Sequence, residues 1–212
     1  FKNEKTPSFT INDEKGFYHC FSTGEHGNIF DFLMKTQNLK FGEAVKTLAS
    51  YAGMQPYTFS KADEERENDW KNYSKIYKDY IEHHNEELLK NPDLIEVRDY
   101  LKSRNLNAND VKNFSLGYVR NKKNFYQELL NKFKDKDLKD SGLFYFDEKN
   151  NVYVERFRGR IIFPIKSITG QYIAAGGRII KKETYLAKYV NSPETKFFKK
   201  GNHLYNLDKA RK

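Results

Sequence analysis

Apolar and polar positions change period several times along the 212 residues, and the changes divide the chain. Ser8–Ile11 and Phe17–Phe21 read as short strands on either side of the turn-forming run Asn12-Asp13-Glu14-Lys15-Gly16. Asn28 is placed to cap a helix reaching Met34, with Ile29, Phe30, Phe32 and Leu33 as its apolar residues. Phe41, Val45 and Leu48, at i, i+4 and i+7, predict a second helix that Gly53 ends. Residues 1–53 therefore form a compact mixed unit, small enough to need a staple or a neighbour for much stability.

Residues 54–60 contain Pro56 and no clear period, and read as a linker. From Lys61 to Lys90 the pattern is helical, with Trp70, Tyr73, Tyr77, Tyr80 and Ile81 in one stripe and an acidic start that suits a helix N-terminus. Such a stripe predicts core rather than a ligand site. Pro92 opens a further helix through about Ser103, with Leu94, Val97 and Leu101 in register. A short helix near Asn109–Asn113, the run Leu116-Gly117-Tyr118 and a helix around Phe125–Phe133 follow. From Leu143 the texture turns to strands: Val152–Glu155, Arg160–Ile165 and Tyr172–Ala174, punctuated by Gly170, Gly176 and Gly177. The predicted class is α+β, with a mainly antiparallel sheet in the second half.

Charge sharpens this division. Residues 1–53 carry 6 basic and 6 acidic side chains, residues 54–110 carry 9 and 13, and residues 111–212 carry 23 and 10, for net charges of 0, −4 and +13. A unit as basic as the last favours a polyanion, through phosphate neutralisation and counterion release. The longest apolar runs, such as Ile161–Ile165, are far shorter than the roughly 20 residues a membrane helix needs. The single cysteine, Cys20, excludes an internal disulfide framework and fits a reducing, cytoplasmic compartment. The start at Phe1 and the helical-looking end at Lys212 read as those of a fragment.

Three clusters carry candidate chemistry. In an extended strand, Arg156, Arg158 and Arg160 would share one face at about 7 Å repeats, with Phe157 on the other. Guanidiniums so placed need anionic partners, and acids are scarce after residue 150. Gly176-Gly177-Arg178, read as a strand end, would let a backbone or ligand approach closely. Lys188-Tyr189-Val190-Asn191-Ser192-Pro193-Glu194-Thr195, followed by Phe198-Lys199-Lys200-Gly201, offers amines for phosphates, an asparagine for polar edges and a ring for stacking.

These runs, in this order, resemble bacterial DNA primase of the DnaG type: Arg-Phe-Arg-x-Arg-Ile-Ile-Phe-Pro-Ile, Gly-Gly-Arg, Lys-Tyr-x-Asn-Ser-Pro-Glu-Thr and Phe-x-Lys-Gly with Leu204-Tyr205. Asn3-Glu4-Lys5-Thr6-Pro7-Ser8-Phe9, Tyr18-His19-Cys20-Phe21 and Gly27-Asn28 resemble that family's zinc ribbon, and Phe114–Tyr118 a segment of its polymerase domain. The resemblance covers essentially the whole chain. It implies synthesis of short RNA primers on single-stranded DNA. Residues 1–53 would be the template-recognition ribbon, and residues 61–212 the N-terminal subdomain of the RNA polymerase domain, with a basic groove. Arg156, Arg158, Arg160, Arg178, Lys188, Lys200, Asn191 and, in the ribbon, Lys5 would hold template and nucleoside triphosphates. A replicative helicase would bind through a C-terminal domain not in this chain.

The sequence departs from the family at two places. The family's zinc site is Cys-Pro-Phe-His followed by Cys-x-x-Cys. Its first cysteine would precede Phe1, its histidine position holds Lys2, its third ligand is Cys20, and its fourth position holds Thr23. Lysine and threonine are not zinc ligands, so the expectation is no zinc, with Phe9, Phe17, Phe21 and Phe32 holding the unit. His19 and His26 are read as ordinary surface histidines rather than substitutes. The family's catalytic carboxylates, which hold magnesium or manganese in a Toprim fold, would follow Leu204-Tyr205, beyond this chain, so no catalytic residue is assigned within it. The alternative reading is a non-catalytic, primase-like module that holds single-stranded DNA, or part of a phage or plasmid primase–helicase.

Overall fold

The computed structural model describes residues 7–55, 60–121, 124–180 and 186–210. The chain divides into two compact units between Glu65 and Arg66.

In the first unit, β1 (Phe9–Asn12), β2 (Phe17–Cys20) and β3 (His26–Asn28) form an antiparallel sheet in that order. The last strand has no apolar or β-branched residue to announce it, and exists through its pairing with β2. Asn28 then caps α1 (Ile29–Thr36): its side chain accepts from the Phe30 and Asp31 N–H groups, and Asp31 accepts from the Asn28 N–H at 2.9 Å. α2 (Phe41–Tyr51) stops before Gly53, whose φ of +65° ends it in the left-handed region. Among the described residues of this unit, Tyr18, Cys20, Leu33 and Ala44 are buried, and the rings of Phe9 and Phe32 pack on Tyr18 at 5.6 and 5.4 Å. Phe17 and Phe21 do not hold this core, being 43% and 70% exposed. Strand alternation sends Tyr18 and Cys20 inward, and therefore Phe17 and His19 outward.

The 30-residue α3 (Lys61–Lys90) carries the predicted stripe into the second unit. Tyr73, Tyr77, Tyr80 and Ile81 are buried, and Trp70 packs at the margin of the same cluster. Asn91 caps a 3-10 turn, Pro92–Leu94, before α4 (Ile95–Lys102), so the segment predicted as one helix is two elements. There follow α5 (Ala108–Asn113), β4 (Gly117–Val119), α6 (Tyr126–Leu130) and α7 (Asp135–Asp140). The hairpin of β5 (Phe144–Asp147) and β6 (Val152–Glu155) precedes β7 (Arg160–Lys166), β8 (Tyr172–Ile179) and β9 (Tyr189–Asn191). A 3-10 turn, Lys200–Asn202, and α8 (Leu207–Ala210) complete the described elements.

The main sheet has the antiparallel order β4-β7-β8-β9. Alternation gives it two different faces. Val119, Ile162, Ile173 and Ala175 enter the large cluster with the α3 tyrosines, whereas Ile161 enters a second cluster with Leu94, Val97, Leu101, Val111 and Leu116. The class is α+β, as predicted.

Candidate nucleic-acid interface

Arg156–Gly159 form a turn joining β6 to β7, not a strand, so the predicted row of three arginines on one face does not exist. Gly159, at φ +71°, makes the turn possible, and its N–H donates to the Val119 carbonyl. Each arginine has its own environment. Arg156 Nε donates to the Gly142 carbonyl at 2.7 Å, and its guanidinium lies 5.9 Å from the Tyr145 ring centre. Arg158 donates to the Tyr145 hydroxyl at 3.2 Å and lies 4.0 Å from Asp147. Arg160 is 5% exposed and donates to the carbonyls of Ala187 and Lys188, at 2.9 and 3.4 Å. It therefore fixes the chain entering β9. Phe157 is fully buried.

The glycine pair lies within β8 rather than at its end. A Cβ on Gly177 would stand 2.5 Å from the Phe157 ring, and one on Gly176 would stand 3.1 Å from Asn191 Oδ1. The close approach made here is by the protein's own side chains.

Arg178, Tyr189 and Asn191 do come together on one face. Arg178 pairs across the strands with Tyr189, and Gly176 with Asn191, so the four positions share the face opposite the α3 tyrosines. The Arg178 guanidinium lies 5.8 Å from the Tyr189 ring centre and Lys188 Nζ lies 5.6 Å from it. Tyr189 is 61% exposed. Among the described residues, no ion pair engages Arg178 or Lys188. Tyr100 on α4 has its ring centre 5.2 Å from the Arg178 guanidinium. Lys200 sits on its own 3-10 turn, its N–H donating to the Glu194 carboxylate at 3.2 Å. Lys5 lies outside the described residues.

The rest of the Asn-Ser-Pro-Glu-Thr run anchors this face to α3. The Ser192 hydroxyl accepts from the Ala175 N–H at 3.0 Å and from the Tyr77 hydroxyl at 3.2 Å. The Thr195 hydroxyl meets the Tyr73 hydroxyl at 2.9 Å and accepts from the Phe197 and Phe198 N–H groups. Pro193 packs where Gly142 has no side chain. Serine, proline and threonine thus serve the framework, and asparagine is the exposed member of the group on the shared face.

The residues present in the first unit do not fit zinc. Cys20 Sγ contacts the hydroxyls of Ser22 at 3.4 Å and Ser8 at 3.8 Å. These hydroxyls, with that of Thr23, hold the thiol down to about 6. His19 and His26 are cross-strand partners with rings 5.9 Å apart, on the sheet face opposite Cys20, so neither reaches its sulfur. Among the described residues, no three His, Cys, Asp or Glu side chains gather round one point. Glu155 is buried, accepting from His84 Nε2 at 2.7 Å and the Phe125 N–H at 3.1 Å, and Glu194 is taken up by the Lys199–Lys200 turn.

Residues 83–211 match the family described as the DNA primase catalytic core, N-terminal domain, and residues 1–65 match the CHC2 zinc finger. The DNA primase of Salmonella typhimurium is 37% identical over 216 residues, an overlap of 99% of this chain and 36% of that protein. The DnaG primase catalytic domain bound to single-stranded DNA superposes with a TM-score of 0.60 at 27% identity, over 68% of this chain and 44% of that one. The zinc-binding and RNA polymerase domains of the Aquifex aeolicus primase give 0.54 at 28% identity, over 100% and 50%. The fold is thus that of the N-terminal part of a primase catalytic core, preceded by a finger-like unit. The chain belongs to the bacterial DnaG-type DNA primases. It spans about a third of the length of the curated relatives it matches, at 36% and 35%. No described helix is long and apolar enough to cross a membrane.

Proposed function

We propose that this chain is the part of a DNA primase that holds the single-stranded DNA template, and presents it with nucleoside triphosphates for the synthesis of short RNA primers in the cytoplasm. One observation carries the reading: Arg178, Tyr189 and Asn191 share one sheet face, Lys188 Nζ lies 5.6 Å from the exposed Tyr189 ring, and neither Arg178 nor Lys188 has an acidic partner among the described residues. Cations without protein counterions take phosphates, and an exposed ring takes an unstacked base. Lys200 and Arg158, the latter exchanging its Asp147 partner, are also assigned to phosphate contacts. Arg156 and Arg160 are assigned to support, because their guanidiniums already bind main-chain carbonyls. The nucleotidyl-transfer metals, magnesium or manganese, belong to carboxylates elsewhere in the parent protein, and a replicative helicase docks there too. We assign residues 1–53 to the ribbon-like domain and 61–212 to the polymerase subdomain, joined by 54–60, with α3 crossing the division of the two compact units after Glu65. The test is primer synthesis by the parent protein carrying Lys188→Ala: a loss of primer yield relieved at high template concentration is expected, and unchanged yield at low template would refute the assignment.

The finger-like unit is proposed to work without zinc. Its one thiol is satisfied by hydroxyls, and its two nearby histidines face away. Metal analysis of the purified parent protein is expected to find no stoichiometric zinc, and one tightly held ion per chain would overturn this.

A further inference from the structure

Residues 54–110 are the acidic part of the chain, yet one of their arginines stands at the basic face. Arg104, exposed just past the end of α4, has its guanidinium 5.5 Å from the centre of the Tyr100 ring. That same ring lies 5.2 Å from the Arg178 guanidinium, which lies 5.8 Å from the Tyr189 ring, itself 5.6 Å from Lys188 Nζ. Three cations and two rings therefore form one connected cluster running from α4 across β8 to the start of β9. Ring faces attract cations, so the two tyrosines hold together charges that would otherwise repel. Within the cluster, the Tyr100 hydroxyl and Arg178 Nε are buried and have no hydrogen-bond partner among the described residues. Orphaned polar atoms are rare in protein interiors, and each calls for a partner or a role. Among the described residues, no ion pair neutralises Arg104, Arg178 or Lys188.

We propose that Arg104 and Tyr100 extend the nucleic-acid surface onto α4. Arg104 contacts a phosphate of single-stranded DNA, and Tyr100 is a positioning residue that holds Arg104 and Arg178 at a fixed separation along the strand. The inference rests on the template-binding reading of the Arg178 face. Single-stranded DNA is favoured over duplex because the exposed Tyr189 ring gains a partner only from an unstacked base.

The test is anisotropy titration of the chain with labelled oligo(dT), and with oligo(U) of equal length, at several salt concentrations. Arg104→Ala is expected to weaken oligo(dT) binding by about 3- to 10-fold and to lower the log–log salt slope by about 0.7, the value of one single-strand phosphate contact. Tyr100→Phe, which keeps the ring, is expected to bind within about 2-fold of the unaltered chain. Tyr100→Leu is expected to weaken binding, with Arg104→Ala adding less in its presence than alone. If Tyr100→Leu does not fold, Arg104→Ala decides, because its side chain is exposed. Unchanged affinity and slope in Arg104→Ala, while Arg178→Ala loses both, would overturn the inference and leave the template-binding reading standing. Silence in Arg178→Ala and Lys188→Ala would remove that reading itself. A loss seen with oligo(U) but not with oligo(dT) would also overturn the inference.

Discussion

The hydroxyl of Tyr77, in the middle of α3, donates to the hydroxyl of Ser192, one residue past β9, at 3.2 Å, with both residues buried. That single hydroxyl proton is shared with the Ser141 carbonyl, at 2.9 Å. Through this contact the long helix sets the position of the strand that carries Asn191. Tyr77→Phe leaves the ring in place and the Ser192 site short of a donor, so it is expected to cost about 1–3 kcal/mol. Tyr77→Ala also leaves a cavity and is expected to cost about 3–5 kcal/mol. Urea unfolding measures both. Neither variant, while folded, is expected to change the salt slope of DNA binding, because no phosphate contact is removed.

Gly177 tests whether the glycine pair serves packing or a ligand. Its missing side chain is occupied by Phe157, a fully buried ring that cannot swing aside. Gly177→Ala is expected to destabilise by about 1–3 kcal/mol through overpacking, with a smaller effect in a Phe157→Leu background. Equal stability of Gly177→Ala and the parent chain, by urea unfolding, would refute the packing role.

Cys20 makes the first unit sensitive to pH. Hydrogen bonds from Ser22, first, and then Thr23 and Ser8 outweigh the opposing effect of burial and lower its folded-state pKa to about 6. A free thiol in the unfolded chain titrates near about 8.5. With the folded value the lower one, the stabilisation is complete above about pH 8.5 and is lost as pH falls through about 6. Titration of the thiolate ultraviolet absorbance is expected to show a midpoint of about 6, whereas a midpoint at the free-thiol value would contradict the hydroxyl shell. The Cys20→Ser variant is expected to lose that part of the pH dependence of melting.

Elements with a strong period were legible in the sequence. The α3 stripe, the Asn28 cap and the Gly53 stop are local signals, and each formed where the local chemistry put it. β3 and β9 were not legible, because three-residue strands such as His26–Asn28 and Tyr189–Asn191 owe their existence to a neighbour's hydrogen bonds. The arginine row failed for a related reason. Alternation predicts a face only while the chain stays extended, and the turn at Gly159 ends the extension between Arg156 and Arg160. Arg178 and Asn191 stand out by residue type and order, but their sharing a face with Tyr189 depends on strand register, which no local pattern encodes. Tyr100 and Arg104 had no signal at all. They lie about 80 residues before their partners in β8 and β9, inside the most acidic stretch of the chain.

The central claim, that Arg178 and Lys188 bind single-stranded DNA through its phosphates, is most directly tested by the salt dependence of oligo(dT) binding in the Arg178→Ala/Lys188→Ala double variant. Each lost contact removes about 0.7 from the log–log slope, so a fall of about 1.4 together with weaker binding is the predicted result. A double variant that folds normally and keeps both the affinity and the slope of the parent chain would contradict the account.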